Sequence, residues 1–281
     1  MKPSSFDYVR PRDLPEAVAA LSARDWGARV LAGGQSLVPM LNLRLSPATC
    51  LVDISRLDEL RRVEDDADSV TFGACIRHGE FEDGVVPDPA QGMMRHVARS
   101  IAYRAVRNRG TIGGSLALAD PSADWIPVVL ALGTDFLIRG PSGERTVPGA
   151  EMFTGPYSTA LGEQDILAAI RIPKLARGAR WGSHKIVRKT GEYPMTTSAV
   201  VIDAARGRCR VALGAANRGV LDLTRTADSL RGAGAWSGPM EAALRGAVRA
   251  DLEAAGRGGD SYEMKLCETT VLRAARSALV Q

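Results

Sequence analysis

Two pairs of adjacent glycines most constrain what this chain can fold into. The first pair follows the short apolar stretch at residues 30–32, and the second lies shortly after the basic stretch at residues 107–109. The first glycine segment is Ala32-Gly33-Gly34-Gln35-Ser36, and the second is Thr111-Ile112-Gly113-Gly114-Ser115. Glycine reaches positive φ and lets the backbone approach a ligand without a Cβ clash. Successive N–H groups in such turns bind anions, so the two segments are candidates for a phosphate site.

Neither glycine segment matches the two common nucleotide-binding fingerprints. The pattern G-x-G-x-x-G of dinucleotide-binding proteins and the Walker loop are both absent from these segments, which disfavours a Rossmann or P-loop site. For either segment alone, a simple tight turn is the alternative interpretation. Ser36, Thr111 and Ser115 supply hydroxyl donors within the segments.

Hydrophobic periodicity predicts an α+β fold. Strands at residues 29–32 and 50–54 enclose the first glycine segment and a short helix, and this βαβ-like order favours parallel pairing. A single helix is predicted over residues 93–106, followed by a glycine turn at 110–114. The other predicted elements are a helix at 125–132, a hairpin at 135–147, a strand at 166–172, an antiparallel pair at 198–213, and helices at 238–250 and 268–280.

The segment 173–180 is rich in basic, alanine and glycine residues and is predicted to be a linker. It divides the chain into an N-terminal domain at 1–175 and a C-terminal domain at 176–281. Within the first domain, the change of pattern predicts subdomains at about 1–56 and 57–175.

Composition narrows the function classes. The 36 Lys and Arg residues and 32 Asp and Glu residues are dispersed, so the net charge of +4 does not predict nucleic-acid binding. The four cysteines and three histidines are far apart, and none has the spacing of a zinc or iron–sulfur site. No apolar run approaches the ~18 residues of a membrane span. We therefore expect a cytoplasmic protein without metal ligands, associated with a membrane only through a larger assembly.

The two glycine segments also carry a family resemblance. The second segment is preceded by RNRG and followed by ADPSAD, and residues 185–193 read KIVRKTGEY. Together these motifs resemble the FAD-binding medium subunit of the carbon monoxide dehydrogenase and xanthine dehydrogenase family of molybdenum hydroxylases, over most of the chain. The resemblance implies a two-subdomain FAD-binding fold of the vanillyl-alcohol-oxidase-like type. It also implies a C-terminal domain made of a small antiparallel sheet with helices.

The same resemblance implies roles for individual residues. The two glycine segments bind the pyrophosphate of FAD. Asp124 holds a ribityl or ribose hydroxyl. Ile101, Leu167 and Lys185 line the flavin, and Tyr193 lies near the isoalloxazine. No side chain is expected to act as a nucleophile or general base.

The resemblance further implies an electron-transfer role in a larger enzyme. Substrate is hydroxylated at a molybdopterin cofactor in a large subunit, and electrons pass through [2Fe-2S] clusters in a small iron–sulfur subunit. FAD in this chain delivers them to an external acceptor, within a dimer of heterotrimers. The expected substrate is an N-heterocycle or carbon monoxide.

Simpler interpretations of these residues remain open at this point. Asp124 can begin the helix at 125–132, Lys185 can be a solvated charge, and Tyr193 can be an ordinary half-buried tyrosine. Ile101 and Leu167 can be core residues. For the whole chain, the alternatives are a self-contained FAD-dependent oxidoreductase and a non-catalytic nucleotide-binding module.

Overall fold

The computed structural model describes residues 2–24, 26–215, 218–259 and 261–280. The strands are β1 (Asp7–Val9), β2 (Ala28–Leu31), β3 (Cys50–Asp53), β4 (Val63–Asp65), β5 (Ser69–Gly73), β6 (Asp135–Gly140), β7 (Gly143–Pro148), β8 (Phe153–Gly155), β9 (Ser158–Thr159), β10 (Ile166–Pro173), β11 (Arg180–Ile186), β12 (Thr196–Asp203), β13 (Arg208–Ala215) and β14 (Gly219–Asp222). The helices are α1 (Leu14–Ser22), α2 (Leu37–Asn42), α3 (His78–Asp83), α4 (Met93–Ser100), α5 (Arg104–Arg107), α6 (Ile112–Leu118), α7 (Trp125–Leu132), α8 (Gly149–Met152), α9 (Thr224–Leu230), α10 (Gly238–Ala254) and α11 (Ser261–Val280).

The N-terminal sheet is parallel and has the order β1-β3-β2. The predicted βαβ unit is confirmed, because β2, α2 and β3 follow one another and β2 pairs in parallel with β3. The Asp13 carboxylate caps α1 by accepting a hydrogen bond from the Glu16 N–H. Leu14, Ala17 and Leu21 of α1 are buried against this sheet, in a small core that also includes Ile166 of β10.

The second sheet is antiparallel and has the order β4-β5-β10-β6-β7. The predicted hairpin is confirmed as β6 and β7, and the predicted strand at 166–172 is the central strand β10. Its core contains Phe72, Phe81 and Trp125, which contact one another with ring centroids 5.0 and 5.3 Å apart. Helix α7, which the sequence predicts with its correct bounds, belongs to the same core.

The third sheet has the antiparallel order β11-β12-β13-β14 and forms the predicted C-terminal sheet with helices. Strand β12 is buried on both faces. Ala199 and Val201 of β12 join the core of the second sheet, whereas Val200 and Ile202 face α10 and α11. The second and third sheets therefore share one continuous apolar layer.

Residues 174–179 join β10 to β11 and are packed against the protein. Leu175 is buried, and the Asp203 carboxylate accepts a hydrogen bond from the Ala176 N–H. The Gln91 side chain donates to the carbonyls of Leu175 and Ala176. The predicted linker is thus a fixed crossing, and the division into domains at residue 175 stays a prediction.

The single helix predicted over residues 93–106 is wrong. Helix α4 ends at Ser100, Ala102 has φ +41°, and α5 begins at Arg104. The buried Arg107 guanidinium donates to the carbonyls of Ile101 and Ala102 at 2.7 and 3.0 Å. The Glu82 carboxylate of α3 also holds this guanidinium, so the break between α4 and α5 depends on an ion pair between residues 25 positions apart. Hydrophobic periodicity in the sequence cannot detect such a pair.

Other differences concern short or polar elements. Strands β1, β4 and β14 have three or four residues each, and β11 carries several basic and polar side chains, so the sequence did not predict them. Helices α10 and α11 are longer than predicted. Within the described residues, no helix combines the length and apolarity needed to cross a bilayer.

Close contact between β11 and α11 generates a test of this packing. A Cβ at Gly182 would lie 2.0 Å from the Ala274 carbonyl oxygen, so Gly182→Ala should force the helix away from the sheet. We expect a loss of about 1–3 kcal/mol in the free energy of unfolding, measured by chemical denaturation. Gly246→Ala is the control, because it lies in α10 with nothing near its Cβ and should stabilise by about 0.5–1 kcal/mol. Equal stability of the two variants would contradict this packing.

Candidate functional site

A cleft of about 660 Å³ lies between the N-terminal sheet and the second sheet. Both glycine segments line it, together with residues from the loop before α7, from β10 and from the loop before β12. The predicted site residues that line the cleft are Ala32, Gly33, Gly34, Gln35, Ser36, Ile101, Thr111, Gly113, Gly114, Ser115, Asp124, Leu167 and Tyr193. Ile112 is instead fully buried in the core, and Lys185 reaches the cleft only through its contact with Asp124. The structure therefore brings together residues that are far apart in sequence.

The first glycine segment connects β2 to α2 and leaves backbone donors free. Gly34 has φ +73°, a conformation that glycine adopts without strain. Among the described residues, none accepts a hydrogen bond from the N–H groups of residues 34–37. Ser36 stands at the start of α2 without making a side-chain cap. A run of partly shielded N–H groups without protein acceptors is suited to binding an anionic oxygen.

The second glycine segment is the start of α6 and not the predicted turn. The Thr111 hydroxyl oxygen accepts a hydrogen bond from the Gly114 N–H at 3.1 Å. The Gly113 N–H donates to the Ala74 carbonyl, and the Ser115 N–H donates to that of Thr111. The amides of this segment are thus largely used within the protein. It contributes a close backbone surface and the Ser115 hydroxyl to the cleft.

The two glycine segments are held close together by direct backbone packing. A Cβ at Gly33 would lie 2.2 Å from the Arg109 carbonyl oxygen and 2.8 Å from the Gly110 Cα. A Cβ at Gly113 would lie 2.3 Å from the Ala74 Cβ. One glycine of each pair is therefore required by packing, while Gly34 and Gly114 line the cleft with fewer neighbours.

Asp124 and Lys185 form an ion pair at the cleft wall. The Lys185 ammonium donates to Asp124 Oδ1 at 2.8 Å and to the Ser100 carbonyl at 2.6 Å. Asp124 begins α7 at its N-cap position, but its side chain makes no cap hydrogen bond and pairs with Lys185 instead. Lys185 is mostly buried, so its interpretation as a solvated charge is wrong. Burial raises the pKa of the Asp124 carboxyl, and the Lys185 charge opposes that shift.

Two tyrosines lie near Asp120, and one of them, Tyr193, lines the cleft. Tyr193 and Tyr157 are both exposed and lie near the Asp120 carboxylate. Burial and the Asp120 charge raise the pKa of Tyr193, and the neighbouring Ser36 hydroxyl partly opposes this rise. Tyr193 therefore stands beside the first glycine segment, with its ring free to cover a ligand.

The sequence analysis did not identify three residues that line the cleft. His78 lies in the cleft wall, and its Nδ1 accepts a hydrogen bond from the Trp125 indole N–H at 3.0 Å. Tyr103 also lines the cleft, and its ring lies so close to Gly191 that a Cβ there would be 2.5 Å away. Asp120 stands at the mouth, within the quoted motif ADPSAD. A lone histidine or tyrosine gives no local signal, and only tertiary contact reveals these positions.

Comparisons with known proteins show the family to which the chain belongs. Residues 4–175 match the family model described as the FAD binding domain in molybdopterin dehydrogenase. The carbon monoxide dehydrogenase medium chain of Hydrogenophaga pseudoflava is 37% identical over 202 residues, covering 72% of this chain and 70% of that protein. The nicotine 6-hydroxylase medium subunit of Paenarthrobacter nicotinovorans is 33% identical over 235 residues, covering 83% and 82%. A solved structure of the Hydrogenophaga pseudoflava carbon monoxide dehydrogenase that lacks the Mo-pyranopterin moiety superposes with a TM-score of 0.89 at 33% identity, covering 99% of this chain and 98% of that one.

Replacing Gly113 by alanine should destabilise the protein more than replacing Gly114 does. Gly113→Ala should lower the free energy of unfolding by about 1–3 kcal/mol, because its Cβ meets backbone and side-chain atoms of Ala74. Gly114→Ala should cost less, because only the Thr111 hydroxyl lies within 3 Å of the added Cβ. Urea denaturation of both variants measures the difference. A larger loss for Gly114→Ala would contradict this assignment.

The Asp124–Lys185 pair should give a pH-dependent stability effect. Lys185→Met leaves a buried carboxylate without its cation and should cost about 3 kcal/mol near neutral pH. A raised folded-state pKa of Asp124 means that this loss grows as pH rises through that pKa and shrinks at acid pH. Denaturation between about pH 4 and pH 8 measures it. Adding Asp124→Asn should recover most of the stability at neutral pH, and a loss that does not vary with pH would rule out this explanation.

Proposed function

This chain belongs to the family of FAD-binding subunits of molybdopterin dehydrogenases, and we propose that its cleft holds FAD between the two glycine segments. It is the FAD subunit of a multi-subunit oxidoreductase, with an electron-transfer role. The observation that carries the binding proposal is the run of free N–H groups at residues 34–37, facing a cleft of about 660 Å³. That volume falls within the usual range for small-molecule sites.

The residues of the cleft suit the parts of FAD. Free N–H groups and the Ser36 and Ser115 hydroxyls are donors, which match the acceptor oxygens of a pyrophosphate. Asp124, which is held in place by the Lys185 ammonium, is an acceptor for a ribityl or ribose hydroxyl. Ile101 and Leu167 present apolar surface to the flavin rings. Ile112 supports this surface from the core and does not contact the ligand.

Protein groups here bind and orient the cofactor, and they do not carry out proton chemistry. When bound, FAD supplies the ability to accept electrons singly or in pairs and to pass them on. Tyr193 is proposed to lie near the isoalloxazine, and its exposed ring at the cleft mouth supports this role. Closure of the mouth by Tyr193 limits access of water and of the external acceptor.

The remaining redox centres are assigned to partner subunits. All four cysteines of this chain are buried and unpaired, and the described residues contain no group of three or more His, Cys, Asp or Glu side chains that could hold a metal. We propose that a molybdopterin-binding large subunit and a small subunit with [2Fe-2S] clusters supply the electrons, in a dimer of heterotrimers with an external acceptor. The names of the relatives support carbon monoxide or an N-heterocycle such as nicotine as substrate.

Titration of the purified chain with FAD and with FMN tests the binding proposal. We expect binding of FAD in preference to FMN, released unchanged on denaturation. Gly34→Val should weaken FAD binding more than about tenfold, because each lost charge-assisted hydrogen bond contributes about 1.5–3 kcal/mol.

Gly207→Val is the matched control for that variant. Gly207 also has positive φ, at +62°, but it lies in an open turn outside the cleft, so the same backbone strain should leave FAD affinity unchanged. Preference for FMN, or equal FAD affinity in the two valine variants, would refute the placement of the site.

A further inference from the structure

His78 is a buried histidine whose chemistry is set by its neighbours. Only 5% of the residue is exposed, and it lies where α3 begins, in the wall of the cleft. The Trp125 indole N–H donates to Nδ1 at 3.0 Å, so in the neutral ring the proton sits on Nε2. Burial and the positive charge of Arg107 lower the pKa of His78 to about 3, which keeps the ring neutral. The ring is therefore a fixed single donor across the physiological pH range.

The donor side of this ring has no partner in the protein. Among the described residues, none accepts a hydrogen bond from Nε2. This atom is not one of the fully buried polar atoms that lack a partner, so it keeps some exposed surface. It lies beside Gly110, where a Cβ would be 3.0 Å from Nε2. Gly110 in turn contacts Gly33, so Nε2 stands next to the point where the two glycine segments meet.

We propose that the His78 Nε2–H donates a hydrogen bond to an anionic oxygen of the flavin nucleotide beside Gly110, an inference that rests on the proposed function. Because Arg107 is paired with Glu82, the choice of an anionic acceptor rests on the adjoining glycine segments, where the pyrophosphate is proposed to lie. Trp125 acts as the positioning residue, because its N–H determines which ring nitrogen carries the proton. This bond provides a donor beside the second glycine segment, whose own N–H groups are largely hydrogen-bonded within the protein.

Two variants of similar size separate the donor from the shape of the side chain. His78→Gln keeps an N–H donor and an acceptor for Trp125, so FAD affinity should stay within a few-fold of wild type. His78→Leu removes both and should weaken FAD binding about tenfold in a fluorescence titration of the full chain. His96→Leu is the control, because His96 packs on Trp181 and does not line the cleft.

His78→Leu also leaves the buried Trp125 N–H unpaired, so loss of stability must be separated from loss of binding. The double variant His78→Leu/Trp125→Phe removes both partners and should regain thermal stability while FAD affinity remains low. Nitrogen-15 NMR of the wild-type ring should show the Nε2–H tautomer and a downfield shift of that proton on addition of FAD.

Wild-type affinity in the double variant, or no change of the Nε2 signal with FAD, would show that His78 only anchors Trp125. Failure of the wild-type chain to bind FAD would instead overturn the proposed function itself.

Discussion

Backbone contact between Gly33 and residues 109–110 is the constraint on which the rest of the site depends. This contact brings the end of β2 against the loop before α6, and no side chain larger than hydrogen fits between them. It fixes the distance between the N-terminal sheet and the second sheet at one end of the cleft. The free N–H groups of the first segment and the wall formed by His78, Ile101 and Asp124 then face the same space.

The two glycine segments look alike in sequence, but their backbone N–H groups have different hydrogen-bonding partners. The first segment leaves its N–H groups without protein acceptors, because these groups lie just before and at the start of α2, where a helix has no carbonyl to accept them. The second begins a helix whose amides are taken up by Thr111 and by the Ala74 carbonyl. The first segment therefore offers backbone donors, whereas the second offers a close backbone surface. We accordingly propose a side-chain donor, His78, for a ligand oxygen on the side of the second segment.

Local patterns predicted the elements that local forces stabilise. The βαβ unit, the β6–β7 hairpin, α7 and the β12–β13 pair were all visible from periodicity and turn residues. The break after α4 was not, because it depends on the Arg107–Glu82 ion pair. Likewise the Asp124–Lys185 pair joins residues 61 positions apart, and only the family resemblance put both in the site.

The position of the cleft between two packed sides has a consequence for how ligand binding and stability are coupled. The apolar cluster under the N-terminal sheet also takes in Ile166 of β10 and Cys75 after β5, so apolar packing joins the two sides in addition to the glycine contact. A ligand that bridges the two sides binds only to the joined arrangement, and by linkage it stabilises that arrangement as much as the arrangement favours the ligand. On the proposed function, the loaded chain therefore keeps its two sides joined more firmly than the empty chain does.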